Sequence, residues 1–214
     1  MNAQKYMIFA AISVFALACN SPVTDKPRAQ IDVDTTALAA KAPAQSAAPE
    51  ARLALTPRNT KLEFEGAKVT GKHQGKFEKL SGVVTGHGTD PTTANIDVTI
   101  DMSSVKTDEK ALDDHLRTAD FFDVEKYPTA RFVSLSVTRQ EGQKDVYTVV
   151  GNLDFHGVTK SISFPATIAL PANRVTVSAE FVINRKDFGV VYPGMPDNLI
   201  RDDVVLSIHI DDAR

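Results

Sequence analysis

The stretch Val175-Thr176-Val177-Ser178-Ala179-Glu180-Phe181-Val182-Ile183-Asn184 decides the fold. Val175, Val177, Ala179, Phe181 and Ile183 fall on one face of an extended chain, and Thr176, Ser178, Glu180 and Asn184 on the other. Successive side chains of a strand point to opposite faces, so this period of two describes a half-buried strand with one wet face. The pattern recurs on both sides. Val204, Leu206, Ile208 and Ile210 alternate with Val205, Ser207 and His209, and Tyr147, Val149, Gly151, Leu153 and Phe155 form another row. Upstream, Ile96, Val98, Ile100 and Met102 alternate with Asn95, Asp97, Thr99 and Asp101, and Leu62 and Phe64 with Lys61, Glu63 and Glu65. Turn-rich breaks at Gly88 to Thr92, Gln140 to Lys144 and Pro171 to Asn173 separate the runs, as antiparallel connections require. Along 131–137, Val133, Leu135 and Val137 oppose Phe132, Ser134 and Ser136, and periodicity does not say which row is inside.

The segment Thr107 to Val124 departs from this period. Leu112 and Leu116 stand four apart, acidic residues crowd its start and Phe121-Phe122 follow, which predicts one short helix and an aromatic plug. About eight one-faced strands must close a core by sandwiching or by curling into a barrel. Glycines at 66, 71, 75, 82, 86 and 88 lie among the early strands, where a barrel needs bends and bulges. An eight-stranded barrel is wide enough for one small ligand, whereas a sandwich fills itself, and the alternation alone fits both.

Composition narrows the function. The 214 residues carry 24 Lys and Arg against 27 Asp and Glu, a net charge of −3, which excludes a protein built to coat nucleic acid. A single Cys excludes an intrachain disulfide and any cysteine cage for a metal. Met1 to Ala18 holds one lysine, an apolar run from Tyr6 to Leu17 and a small residue before Cys19, the pattern of an export signal. Ala16-Leu17-Ala18-Cys19 resembles a bacterial lipobox, which implies that residues 1–18 are removed and that Cys19 carries lipid. Residues 19–58 are rich in Ala and Pro and are expected to be a disordered tether reaching roughly 35 Å from the bilayer. Asn20 is not the acidic residue that retains resembling enteric lipoproteins at the inner membrane, so the expected address is the cell envelope or periplasm, with the outer membrane favoured.

A search for catalytic groups finds little. His73, His87, His115, His156 and His209 lie far apart, without zinc-protease spacing, and no nucleophile elbow or phosphate loop is present. Asp113, Asp114 and His115 are consecutive on the expected helix, so they point different ways and are expected to be a solvated face. No catalytic residue, metal site or resident cofactor is predicted.

Several stretches carry a resemblance. Thr70-Gly71-Lys72-His73 with Gly75 and Phe77, the long block from Leu116 to Phe132, Gly151 to Lys160, and Asn184-Arg185-Lys186-Asp187-Phe188-Gly189 are similar to the motifs of the YceI-like family. The resemblance spans about 59–211 and implies an eight-stranded antiparallel lipocalin-like β-barrel with one short helix. It further implies export to the periplasm and an apolar interior holding a polyisoprenoid such as a quinone tail, without enzymatic turnover. Tyr192 to Leu199 departs from the family pattern as an insertion-like loop. A tail of about forty carbons at ~0.3 kcal/mol per atom gives ~12 kcal/mol, so a lined tunnel suffices for tight binding.

The expected inward residues are Phe64, Phe77, Ile96, Val98, Ile100, Leu116, Phe121, Phe132, Val149, Phe181, Ile183 and Phe188, each of which could equally be core filling. Arg185 and Asp187 either pair with each other across a strand end or orient a polar headgroup. The expectation is therefore a lipid-anchored barrel, residues 59–214, that sequesters a long-chain isoprenoid or other amphiphile and binds no nucleic acid. Two alternatives are a lipid-modifying enzyme with His and carboxylate groups at the barrel mouth, tested at His73 and His156, and a ligand-free structural module with a solid interior.

Overall fold

The computed structural model describes residues 25–32, 50–172 and 174–213. The export signal, Cys19 and residues 33–49 of the expected tether lie outside the described residues.

The described residues form thirteen strand segments and one α-helix. In chain order these are β1 (Gln30–Ile31), β2 (Glu50–Leu55), β3 (Thr60–Lys68), β4 (Gly71–Phe77), β5 (Leu80–His87), β6 (Asn95–Asp101), β7 (Val105–Thr107), α1 (Lys110–Leu116), β8 (Thr129–Arg139), β9 (Val146–Phe155), β10 (Val158–Ala169), β11 (Arg174–Asn184), β12 (Gly194–Met195) and β13 (Asn198–Ala213). Every ladder between these strands is antiparallel.

Three pairs of segments are single bent arms. β2 and β3 are joined by a tight turn in which Thr60 N–H donates to Thr56 O at 2.9 Å, and together they run alongside β5 and β4. β4 and β5 pair in turn with β7 and β6, and the corner is bridged by Glu78 N–H to Ser104 O and Asp101 N–H to Lys79 O. Counted this way the chain has eight arms: 50–68, 71–87, 95–107, 129–139, 146–155, 158–169, 174–184 and 198–213. Each pairs with the next, and β13 returns to β3. The result is an all-β, lipocalin-like meander curled into a barrel, as the resemblance predicts, where the alternation fits a sandwich equally well. Within β4, a Cβ at Gly75 would lie 2.3 Å from the Phe64 ring, so the close approach of that ring calls for glycine.

The structure moves the start of the barrel. The expected boundary at Asn59 gives way to β2, whose Leu53 and Leu55 are buried at 8 % and 2 % exposure, so 50–58 belongs to the wall and not to a tether. Residues 27–31 also leave the expected tether. β10 and β11 are paired only from Thr167↔Ser178 to Ala169↔Thr176, and above that point they part. The wedge is filled by the N-terminal segment. Ala29 N–H donates to Val182 O, Val182 N–H donates to Pro27 O, and Gln30 and Ile31 pair with Ser163 and Ile162. Residues poor in apolar surface are held here because they satisfy strand groups that would otherwise stay unpaired.

Strand β8 resolves the ambiguity of 131–137 by using both rows. A register shift between Ser134 and Ser136 puts Phe132 inside before it and Val137 inside after it, leaving Leu135 on the surface. Tyr192 to Leu199, expected as an insertion-like loop, is a small hairpin of β12 on β13.

Candidate functional site

The inward rows do not fill the barrel. Two apolar chambers, of about 420 Å³ and about 220 Å³, lie end to end inside it. Their walls have Leu62, Ile100, Leu153 and Leu206 in common, so these four side chains, from β3, β6, β9 and β13, form a waist. An engineered void of ~150 Å³ already accommodates benzene, so these volumes exceed packing defects and fall in the range of ligand sites.

The first chamber opens at one end of the barrel. Its depth is aromatic and aliphatic, with Phe64, Phe77, Phe121, Phe122 and Phe155 around it. Phe77 bridges Phe64 at 5.7 Å and Phe122 at 6.0 Å between ring centroids, and Phe122 meets Phe155 at 5.8 Å, a tilted chain of rings with apolar edges and faces toward the space. Polar groups gather at the mouth: Lys68, His73, Glu109, His115, Arg185, Tyr192, Asn198 and Arg201. The second chamber is lined by Leu53, Leu80, Val84, Phe164, Val175 and their neighbours. This arrangement suits an amphiphile with its head at the mouth and its tail through the waist.

The expected residues divide between the chambers. Phe64, Phe77, Leu116, Phe121, Ile183 and Arg185 line the first, Ile96, Val98, Phe132, Val149 and Phe181 line the second, and Ile100 lines both. Phe188 lines neither; it is fully buried and packs on Phe155 at 5.7 Å, as core. Asp187 also stands outside both linings, and the expected Arg185–Asp187 pairing gives way to another.

Arg185 is 5 % exposed and donates to Asp202 Oδ1 at 3.1 Å, Val190 O at 2.8 Å and Arg201 O at 3.2 Å. Burial draws its guanidinium below its ordinary range, and Asp202 opposes that. Asp202 reaches it through a bulge the sequence did not signal. Ile200 pairs with Lys68 and Val204 with Gly66, so three residues of β13 oppose one of β3 and turn Asp202 and Asp203 outward. Asp203 in turn takes a hydrogen bond at 2.8 Å from Arg28 of the wedge segment.

Helix α1 roofs the first chamber. Leu112 and Leu116 face the space, as their spacing predicts. The helix ends at Leu116, and the remainder of the expected segment is a series of turns that sets Phe121 and Phe122 into the chamber. Its N-cap, Glu109, makes no side-chain capping bond. Asp113 does the holding instead. In place of the solvated face that its neighbours predict, it is 1 % exposed and accepts from Lys106 Nζ at 2.6 Å, Thr107 N–H at 2.5 Å and Thr107 Oγ1 at 2.7 Å. Those donors, Lys106 foremost, hold its carboxyl at about 2. Its neighbours Asp114 and His115 turn elsewhere: Asp114 is solvent-exposed and pairs with Lys110, while His115 reaches the mouth between Phe121 and Tyr192.

The two histidines that would serve an enzyme do not converge on a common space. His73 lines the mouth and meets Asp108 at 3.0 Å, whereas His156 sits in the β9–β10 turn beside Tyr127 and lines neither chamber. Among the described residues, no group of three or more His, Cys, Asp or Glu is placed to hold a metal ion.

A curled antiparallel barrel around a two-chambered apolar cavity with a polar mouth defines a lipocalin-like class of barrel with room for a ligand. Comparison with known proteins makes this specific. The YceI-like domain model matches residues 53–211, and the chain belongs to that family. A UPF0312 protein of Pseudomonas putida (strain GB-1) is 33% identical over 136 residues, covering 61% of this chain and 70% of the relative. The crystal structure of Burkholderia cenocepacia BcnA superposes with a TM-score of 0.64 at 25% identity, over 72% of this chain and 96% of that one. A polyisoprenoid binding domain from Saccharophagus degradans, implicated in plant cell wall breakdown, shares the fold with a TM-score of 0.60 at 21% identity, over 78% of this chain and 100% of that one.

Proposed function

We propose that this chain sequesters or carries a long apolar lipid of the isoprenoid class, threaded from the mouth through the waist, and catalyses no reaction on it. The observation that carries this reading is the waist itself. Four aliphatic side chains belong to the walls of both apolar chambers, so the two lie end to end on either side of them, an arrangement that suits a long flexible apolar ligand better than a compact one. Tyr192, Asn198 and Arg201 on the first chamber's lining supply hydrogen-bond donors for a polar head such as a quinone ring or a phosphate. The polyisoprenoid binding domain of similar fold supports the ligand class.

The reading includes an address: export, acylation at Cys19 and residence on an envelope membrane, the outer one where the cell has two. Organic extraction of gently purified protein followed by mass spectrometry tests the cargo. A stoichiometric apolar molecule is expected, and its absence would overturn the carrier reading. Cys19→Ala tests the anchor: the processed domain is expected to leave the membrane fraction, and membrane attachment retained without that thiol would refute acylation there.

A further inference from the structure

Five large apolar side chains of the described residues are strongly exposed: Val69, Leu135, Val191, Met195 and Leu199. Four of the five belong to one place. Val69 N–H donates to Leu199 O at 3.1 Å, Met195 pairs with Asn198 across the small hairpin, and Ile200 N–H donates to Pro193 O, so the β3–β4 tip and the β12–β13 hairpin form a single continuous rim, with Val191 at its entry. Met195 and Ile200 also line the first chamber, so the rim and the cavity share apolar side chains, with Lys68, Asn198 and Arg201 set among them. Isolated exposed aliphatics are ordinary, but a group gathered at a cavity mouth marks a contact surface.

We propose that this rim, centred on Val69, Met195 and Leu199, docks into the surface of a lipid bilayer, so that cargo enters and leaves the barrel without crossing water. The inference rests on the reading of the cavity as a lipid site. Two further observations favour a bilayer over a protein partner. The first is reach. Residues 26–31 are fastened to the wall by Lys26–Glu180 and Arg28–Asp203, with Arg28 bridged parallel to Val182, so the chain joins the barrel on the β11–β13 wall. Five residues lie between Cys19 and Asp25, six chain steps that span at most about 21 Å at full extension. An acyl chain at Cys19 therefore keeps the barrel against the membrane it is anchored to, not roughly 35 Å away as a free tether would. The second is charge. Lys68, Lys72, Lys110 and Arg201 near the mouth are matched by Glu65, Asp108, Glu109, Asp114 and Asp197, so no strong field favours a charged partner and apolar insertion drives the contact.

The chain contains no tryptophan, so one introduced indole reports alone. Full-length chains carrying Val69→Trp, Leu199→Trp or Leu135→Trp are reconstituted with phosphatidylcholine vesicles bearing brominated acyl chains. The two rim reporters are expected to shift to the blue and be quenched, and Leu135→Trp to keep its water-exposed emission. Burying one such side chain changes partitioning about tenfold, so Val69→Ser with Leu199→Ser weakens insertion of a Met195→Trp reporter about a hundredfold. Rim reporters that stay in water while the chain sediments with vesicles would overturn the docking and leave the anchor and cargo standing. Rim reporters already buried without vesicles would overturn it in favour of contact between copies. Insertion by a chain that yields no extractable lipid would support the docking and count against the cargo alone.

Discussion

Replacing Asp113 by asparagine tests how the roof of the first chamber is held down. The carboxylate receives Lys106 and two donors of Thr107, which keeps it ionised to about pH 2 against an ordinary 3.8. That lowering corresponds to at most about 2 kcal/mol of folding stability. Lys106 is 47% exposed, so water screens its part of the interaction and about 1 kcal/mol remains. The folded carboxyl titrates below the unfolded one. Its contribution is therefore complete above about pH 4 and is lost as the pH falls through 2. Asparagine keeps an acceptor for Thr107 but removes the charge. Urea unfolding at pH 7 is expected to show Asp113→Asn less stable by about 1 kcal/mol, with Tm lower by about 2–4 °C. Between pH 4 and pH 2 the parent loses this advantage and the two curves converge. Equal midpoints at pH 7, or a gap that persists at pH 2, would refute the assignment of Asp113 as the clamp between α1 and β7.

Other expectations follow from the same geometry. Leu153→Trp at the waist places its bulk in existing space, so it should spare stability while shortening the lipid recovered by extraction; unchanged ligand mass would contradict a continuous path. Ala29→Asp puts a charge into the wedge between β10 and β11 at a site 9% exposed and should cost about 3 kcal/mol or more in urea unfolding, whereas Arg28→Ala at the exposed pair should cost less than about 1. Equal effects of the two would show that the wedge is not part of the wall. Gly75→Val should displace the Phe64 ring into the first chamber, lowering ligand occupancy together with stability by about 1–3 kcal/mol; full occupancy measured by extraction would count against that position.

The strands were legible because 96–102, 147–155, 175–183 and 204–210 repeat the same alternation, which chance seldom sustains over so many residues; their closure into a barrel came from the family resemblance. The wedge was not. Ala29 and Ile31 offer only two apolar side chains, and what places them is the unpaired backbone of Val182, which no local pattern announces. Strand β2 was missed for a similar reason, since Leu53 and Leu55 follow an Ala- and Pro-rich stretch that hides so short a row. Asp113 was misread because Asp114 and His115 beside it share its polarity, while its partners come from β7 through the turn. The β8 and β13 bulges break the period that the reading relies on, so the inner row of β8 and the Arg185–Asp202 pair were beyond it. Sequence alternation also cannot distinguish an apolar row that fills a core from one that walls a cavity. That difference depends on barrel width and on how the rings of Phe77, Phe122 and Phe155 lie, which is a property of the closed ring.

The most direct measurement is a crystal structure of the chain purified from its own envelope without detergent. Elongated density is expected to run from the Arg185–Tyr192 mouth through the ring of Leu62, Ile100, Leu153 and Leu206 into the second chamber. Chambers closed by collapsed side chains, or occupied only by ordered water, would contradict the path on which the function rests.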